Sequence, residues 1–370
     1  MHRPTKPRVL VAMSGGVDSS VAAALLVREG WDVVGVTMKL FEDGHALPDR
    51  PCCSLDSTSD ARRVCEKLGV PHYVLNMVDH FGRDVIRDFV AEYARGRTPI
   101  PCVRCNTFTK FSDLVAKADG IDAEFVATGH YARVVDGELH RGADDNKDQT
   151  YFLWGIDRSV LRRLLLPVGT MTKVQTRAIA RDLGLPRVAD KPESQEICFV
   201  PDGDYVTILR RELPADAPAL SRGAIVTVDG TVVGEHDGFA QFTIGQRRGL
   251  PGGHAEPLFV VALRPETREV VVGPREALLG HSVAAREVNW LVGEPPRVGD
   301  TVQVRVRHRA PLVEARVVRF DGGEIELALA APISAIAPGQ SLVLYDGERV
   351  LGGGFIEAAR SIEPQHAARS

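Results

Sequence analysis

A chain of 370 residues, 25% charged and 44% hydrophobic, is too long for one typical core and suits two or three domains. No apolar run approaches the ~20 residues of a membrane helix, and M-H-R-P-T-K-P-R leads into a strand with no signal-peptide core, so a cytoplasmic protein without membrane contact is expected. A net charge of −4 does not advertise a nucleic-acid binder, and six cysteines in so long a chain favour thiol chemistry or metal ligation over a disulfide framework.

In chain order, the sequence predicts a strand from Arg8 to Met13, a helix from Ser19 to Arg28, a strand from Asp32 to Leu40 and a helix from Ser57 to Leu68. A strand from Tyr73 to Leu75, helices from Phe81 to Tyr93 and from Thr109 to Ala118, and a strand from Phe125 to Ala127 follow. Short apolar strands between amphipathic helices imply a parallel sheet covered on both faces, with ligands beyond the strand C-termini. That rule gathers residues 14–19, 38–40 and 128–130 around one site. Met38 and Phe41 are placed to flank an adenine ring, while the alternative for Met38 is core filling.

Between the first strand and helix, Ala12, Met13, Ser14, Gly15, Gly16, Val17, Asp18, Ser19 and Ser20 read A-M-S-G-G-V-D-S-S. The two glycines let backbone approach an anion, and the serines and first-turn amides supply donors under the positive end of the helix dipole. There is neither a Gly-Lys-Ser/Thr ending nor a Gly-x-Gly-x-x-Gly run. The pattern S-G-G-x-D-S resembles instead the pyrophosphate loop of ATP pyrophosphatases, which split ATP between its α and β phosphates.

Residues 155–205 read as helical, with an excess of Lys and Arg between Arg158 and Lys191 that is either a solvated face or a binding surface. Past Pro214, Val, Ile and Thr runs punctuated by Asp229-Gly230, Asp321-Gly322 and Asp346-Gly347 predict all-β domains joined by tight hairpins. A break between Gly280 and Glu287 divides them.

Cys102 and Cys105 lie in T-P-I-P-C-V-R-C-N, where two prolines argue against helix up to Cys102 and Asn106 is placed to cap the helix that follows. A thiol beside a helix N-terminus and Arg104 has its thiolate favoured. No second C-x-x-C or nearby His pair completes a zinc tetrahedron. Cys198, in E-S-Q-E-I-C-F-V-P, is a reactive loop thiol or a buried small hydrophobe; Cys52, Cys53 and Cys65 read as structural.

Six motifs, in order, extend the pattern across the chain: S-G-G-V-D-S-S, A-T-G-H-Y-A-R, R-G-A-D-D-N-K-D-Q-T-Y-F-L, E-S-Q-E-I-C-F-V-P, T-I-G-Q-R-R-G-L and A-P-G-Q-S-L-V-L-Y. Together they resemble the tRNA-specific 2-thiouridylase family, which installs sulfur at C2 of the wobble uridine of tRNAs for Lys, Glu and Gln. The resemblance implies an α/β fold: an N-terminal parallel-sheet nucleotide-binding domain of the adenine nucleotide alpha hydrolase type, a small central β domain and a C-terminal β-barrel. The corresponding ranges are 1–208, 213–282 and 285–362.

By the same resemblance, ATP binds at residues 12–19, Met38 and Gly129, with Mg²⁺ neutralising charge and Asp18 a possible ligand. Cys198 carries a persulfide supplied by a sulfur donor protein, and Cys105 is the nucleophile that frees the sulfur, leaving a Cys105–Cys198 disulfide. The tRNA contacts fall on Ile100, Pro101, Cys102, His130, Lys147, Asp148, Gln149, Arg307, His308, Arg309 and Gln340. Arg305, Arg307 and Arg309, at alternating positions of a predicted strand, would share one phosphate-binding face. Three positions depart from the family pattern: Ile100 and His308 stand where Asn and Tyr are usual, and Cys102 where some members carry Asp. Cys102 also opens a rival route, a [4Fe–4S] cluster on Cys102, Cys105 and Cys198. Two further alternatives are a pyrophosphate-loop synthetase acting on a small metabolite and a noncatalytic tRNA-binding protein.

Overall fold

The computed structural model describes residues 4–41, 55–191, 197–200, 203–253 and 256–360. They divide into two compact units, one within 1–86, 101–203 and 348–351, the other within 87–100, 204–347 and 352–370. Among the described residues no helix is long and apolar enough to cross a membrane. Cys52 and Cys53 lie outside the described residues.

The first unit is built on a five-stranded sheet: β3 (His72–Asn76), β2 (Asp32–Lys39), β1 (Arg8–Ala12), β4 (Phe125–Ala127) and the short strand Leu164–Leu165. Every pairing within it is parallel. Val9, Leu10 and Val11 are at most 1% exposed, as expected of a strand covered on both faces. Helix α1 (Val17–Arg28) packs there through Ala22, Ala23 and Ala24, all fully buried, whose small side chains let it lie close to the sheet. Strand order reverses around β1, which lies between β2 and β4, so residues 13–19 and 128–130 emerge at the crevice where such sheets bind ligands.

Two helices extend beyond their expected bounds. Residues 78–94 are helical throughout, with a wider-wound stretch at Gly82–Ile86. Residues 101–119 are likewise helical, with such a stretch at Cys105–Phe111. The helix therefore begins at Pro101 rather than after Cys102, because proline in a first turn gives up only an amide that would have no partner there. A hairpin of Ala132–Val135 and Glu138–Arg141 was also missed; its turn, Asp136 and Gly137, has φ of 52° and 76°.

The second unit contains a four-stranded sheet in the order Phe259–Arg264, Glu269–Gly273, Gly223–Thr227 and Val232–His236. It also contains a β-barrel in which Leu279–Trp290 pairs with both Glu324–Ser334 and Arg349–Arg360, closing the ring. The Asp229-Gly230 and Asp321-Gly322 turns connect antiparallel neighbours as expected, and Asp346-Gly347 lies between two strands that are hydrogen-bonded neighbours. The expected break at 280–287 is instead the interior of Leu279–Trp290. What looked like a break is irregular strand: the register shifts after Gly280 and after Arg286, and Glu287 takes φ 53°. Gly280 is a close-packing position, since a Cβ there would lie 2.8 Å from Ile336 Cδ1.

Candidate functional site

The loop after β1 is shaped by its glycines. Gly15 has φ +68°, and a Cβ there would fall 2.1 Å from the carbonyl oxygen of Ser57 in helix α2 (Leu55–Leu68). Gly16 takes the N-cap position of α1 with extended geometry and no side-chain cap. The hydroxyls brace the turn: Ser20 donates to Gly16 O at 2.8 Å and the Ser14 amide donates to Ser19 Oγ at 3.1 Å. Gly129 completes the cradle from the other side, approaching so closely that a Cβ would meet the Ser19 amide nitrogen at 2.5 Å. Met13 and Val17 belong to the core beneath, Ala12 ends β1, and Met38 is 9% exposed, which favours core filling over an adenine contact. Phe41 stacks edge-on against Phe81 at 5.3 Å.

Asp18 is not open to solvent chemistry alone. Lys173 Nζ lies 2.8 Å from each carboxylate oxygen, and Tyr131 donates its hydroxyl to Asp18 Oδ1 at 2.8 Å. Lys191 Nζ donates to the carbonyl of Gly15 at 3.1 Å and pairs with Asp60, 2% exposed, at 2.5 Å. A loop of amides and hydroxyls flanked by two ammonium groups fits a polyphosphate. Among the described residues no group of three His, Cys, Asp or Glu is placed to hold a metal, so a divalent cation here would rest on Asp18 and on ligand oxygens.

The thiols divide by environment. Cys102, in the first turn of its helix, is exposed; Cys105, one turn on, is buried. Burial pushes the Cys105 thiol up, and nearby Lys110 only partly opposes it, so the expected thiolate preference does not hold in this arrangement. Asn106, expected as a cap, is inside the helix and donates to Phe152 O at 2.9 Å. Cys198 is half-buried, between residues 192–196, which lie outside the described residues, and Phe199, whose ring meets Phe81 at 5.7 Å. Cys65 is buried, its thiol pushed up to about 11 by desolvation first and Glu66 second.

The residues assigned to RNA contact prove to be of several kinds. Asp148 is 2% exposed and accepts from Gly142 N, Thr150 N and Thr150 Oγ1, so it folds the strip rather than presenting a contact. Gln149 accepts the Tyr131 amide at 2.9 Å, and Lys147 is half-buried beside them. His130 hydrogen-bonds Thr128 at 2.7 Å; desolvation, with Lys110 second, lowers its pKa to about 3 and keeps it neutral. Ile100 and Pro101 are buried.

In the second unit, Gln340 Nε2 donates to Thr98 O at 2.9 Å at the edge of a cavity of about 320 Å³ lined also by Thr243, Gln246 and Arg307. The shared face of three arginines is not formed. Its strand, Thr301–Arg305, ends at the first of them, and the chain turns through Arg309 at φ 63°. Arg305 is 7% exposed with its guanidinium 5.5 Å from the Tyr345 ring, whereas Arg307 and Arg309 are exposed, with half-buried His308 between them.

Sequence reasoning missed Tyr131, Lys110, Asp60, Lys173 and Lys191. Lys173 and Lys191 were counted within a charge run, but the segment turns several cations inward. Arg163 donates to Glu124 O and Ala123 O, and Arg177 to Ala189 O and Lys191 O. One signal was available: a pyrophosphate-type loop without its own cation needs one from elsewhere in the chain.

Family models match most of the chain: residues 7–202 fit a tRNA methyl transferase HUP domain, 214–274 a tRNA methyl transferase PRC-barrel domain, and 280–356 an aminomethyltransferase beta-barrel domain. The chain is 48% identical to a tRNA-specific 2-thiouridylase of Rhodospirillum centenum, over 97% of this chain and 93% of the relative. It is also 48% identical to that of Rhodospirillum rubrum, over 96% and 98%, and 46% identical to that of Geobacter metallireducens, over 97% and 99%.

Proposed function

Since the chain belongs to the tRNA-specific 2-thiouridylase family, we propose that it catalyses ATP-dependent 2-thiolation of the wobble uridine of tRNAs for Lys, Glu and Gln, yielding 2-thiouridine, AMP and pyrophosphate. The observation that carries this reading is the likeness to curated 2-thiouridylases over 97% of the chain, with the 14–19 loop, Cys105 and Cys198 all inside one matched stretch.

The chemistry explains why such a protein needs both a nucleotide loop and two thiols. Oxide is too poor a leaving group to be displaced from C2 directly. Attack of the C2 oxygen on the α-phosphorus of ATP expels pyrophosphate and converts that oxygen into part of AMP, which leaves readily. Ser14, Ser19 and the amides at the start of α1 are the groups to hold the polyphosphate, and Gly129 keeps the cradle closed. Mg²⁺, held by Asp18 and phosphate oxygens, would supply charge neutralisation.

Sulfur arrives as the outer atom of a persulfide on Cys198, supplied by a donor protein. That atom bonds to C2 as AMP departs, and the Cys105 thiolate attacks Cys198 Sγ, breaking the S–S bond and furnishing the two electrons. The products are the thiocarbonyl and a Cys105–Cys198 disulfide, which an external reductant must reopen. Burial of Cys105 means that this attack requires a local rearrangement of the wider-wound stretch Cys105–Phe111. Cys102 has no obligatory step in this route. The three-part division at 1–208, 213–282 and 285–362 is retained as a proposal, with the second boundary moved ahead of Leu279, where the long strand starts.

The test is thiolation of wobble-uridine tRNA by the purified protein, aerobically and anaerobically, with iron and AMP assayed in the same samples. Thiolation without iron, with one AMP per thiouridine, is expected. AMP formed from a small metabolite without tRNA would contradict the reading.

A further inference from the structure

The loop at 14–19 contains neither lysine nor arginine, so its own residues offer a polyphosphate only amides and hydroxyls. The structure brings two lysines to it from one distant segment, and they differ in what neutralises them. Lys191 is bound to the loop carbonyl of Gly15 and to Asp60, which also faces Arg63 and Arg187, each at 3.4 Å. Its place is fixed by buried structure. Lys173 is paired instead with a carboxylate of the loop itself: Asp18 is 31% exposed, and the lysine side chain 12%.

We propose that Lys173 is the cationic phosphate ligand that this loop lacks, held in reserve by Asp18 and passed to the ATP phosphates when the nucleotide binds, leaving Asp18 to a divalent cation. The proposal rests on the reading that the loop binds ATP. With a divalent cation present, exchanging partners in this way leaves neither the lysine nor the carboxylate without a counter-charge, which is the condition under which partly buried ion pairs are tolerable.

The surroundings suit a side chain that swings on a fixed base. Lys173 is the first residue of Lys173–Asp182, whose start is held by a Thr172–Gln175 capping box, and the Lys173 amide donates to Asp144 Oδ2 at 3.0 Å. Its ammonium lies 5.6 Å from the centroid of the Tyr131 ring. The Tyr131 hydroxyl holds Asp18 independently and is itself braced by Thr176 Oγ1 at 3.0 Å, so Asp18 keeps a partner when the lysine leaves.

The experiment is calorimetric titration of the full-length protein with ATP and, separately, with adenosine, in EDTA so that no divalent cation contributes. Lys173→Met is expected to weaken ATP binding about tenfold or more while leaving adenosine binding nearly unchanged, the difference expected of one charge-assisted contact to phosphate. Lys173→Arg should recover part of the loss. Asp18→Asn should tighten ATP binding in EDTA by removing the competing carboxylate, and that gain should vanish in the Asp18→Asn/Lys173→Met double variant. Adenosine binding by each variant reports that it is folded. The proposal is overturned if Lys173→Met binds ATP as the wild type does, if it loses ATP and adenosine in equal proportion, or if adding Asp18→Asn restores its ATP binding. A wild-type protein that binds adenosine but not ATP would overturn the ATP reading together with this inference.

Discussion

Gly129 and Ser19 meet at the crevice of the sheet so closely that a Cβ on Gly129 would fall 2.5 Å from the Ser19 amide nitrogen. The neighbour is backbone of the first turn of α1, which is packed on the sheet and cannot yield as a flexible side chain would. Gly129→Ala should therefore cost about 1–3 kcal/mol of stability through overpacking. It should also weaken ATP binding more than tRNA binding, because the displaced segment is the anion loop. Urea unfolding and nucleotide titration of the same variant check both; unchanged values would mean that the loop at 128–130 moves freely.

His130 supplies a pH prediction. Its folded pKa, about 3, lies below the ordinary histidine value, so the unfolded chain takes up a proton that the folded chain refuses. The stability this group contributes is fully present above about pH 6.5 and is lost as pH falls toward the folded value. Over that window His130→Asn should make the fall in stability shallower by about 1.4 kcal/mol per pH unit, the slope of one proton. A histidine C2 proton resonance that shifts with a midpoint near neutrality and vanishes in this variant would contradict the assignment.

The arginines of 305–309 are expected to separate by burial. Arg307 and Arg309 are exposed, so removing both should lower the slope of log tRNA affinity against log salt by about two, roughly one per phosphate contact. Arg305 is buried, with its guanidinium against the Tyr345 ring, and Arg305→Met should change thermal stability and leave that slope alone. An unchanged slope for the double variant would move the RNA surface elsewhere.

Thiol reactivity should follow burial rather than sequence position. Cys102, exposed in the first turn of its helix, should be alkylated well before Cys105, whose thiol is pushed up by desolvation. Time-resolved iodoacetamide labelling read by peptide mass spectrometry tests this order. Equal rates would mean that Cys105 is accessible in the free protein.

What could be read from the sequence was whatever local patterning controls. The strand, glycine loop and helix of 8–28, the parallel sheet and the Asp-Gly hairpins follow from alternation, run length and turn chemistry, and the structure has them. Pro101 misled because a proline that bars a helix interior is accepted in its first turn. Gly280 misled because a glycine can mark close packing inside a strand as well as a break. The arginine stripe failed because Arg309 leaves the extended region, which no period-two pattern reveals. Lys173 and Asp18 are 155 positions apart, and their pairing depends on how the sheet order places the two segments. Asp148 resembled a surface contact because nothing in N-K-D-Q signals that its carboxylate turns inward to Gly142 and Thr150.

The most direct test of the proposed sulfur transfer is single-turnover thiolation by Cys102→Ser, Cys105→Ser and Cys198→Ser, with AMP, iron content and the disulfide state read on the same samples. Cys105→Ser and Cys198→Ser are expected to yield no 2-thiouridine, Cys198→Ser without releasing AMP because no sulfur displaces it from the adenylated base, and Cys105→Ser with AMP released but the sulfur left bridging C2 and Cys198. Cys102→Ser is expected to be mild, and the wild type should work without iron and accumulate a Cys105–Cys198 disulfide when reductant is scarce. An iron-dependent enzyme disabled as severely by Cys102→Ser as by the other two would contradict the persulfide route and favour the cluster.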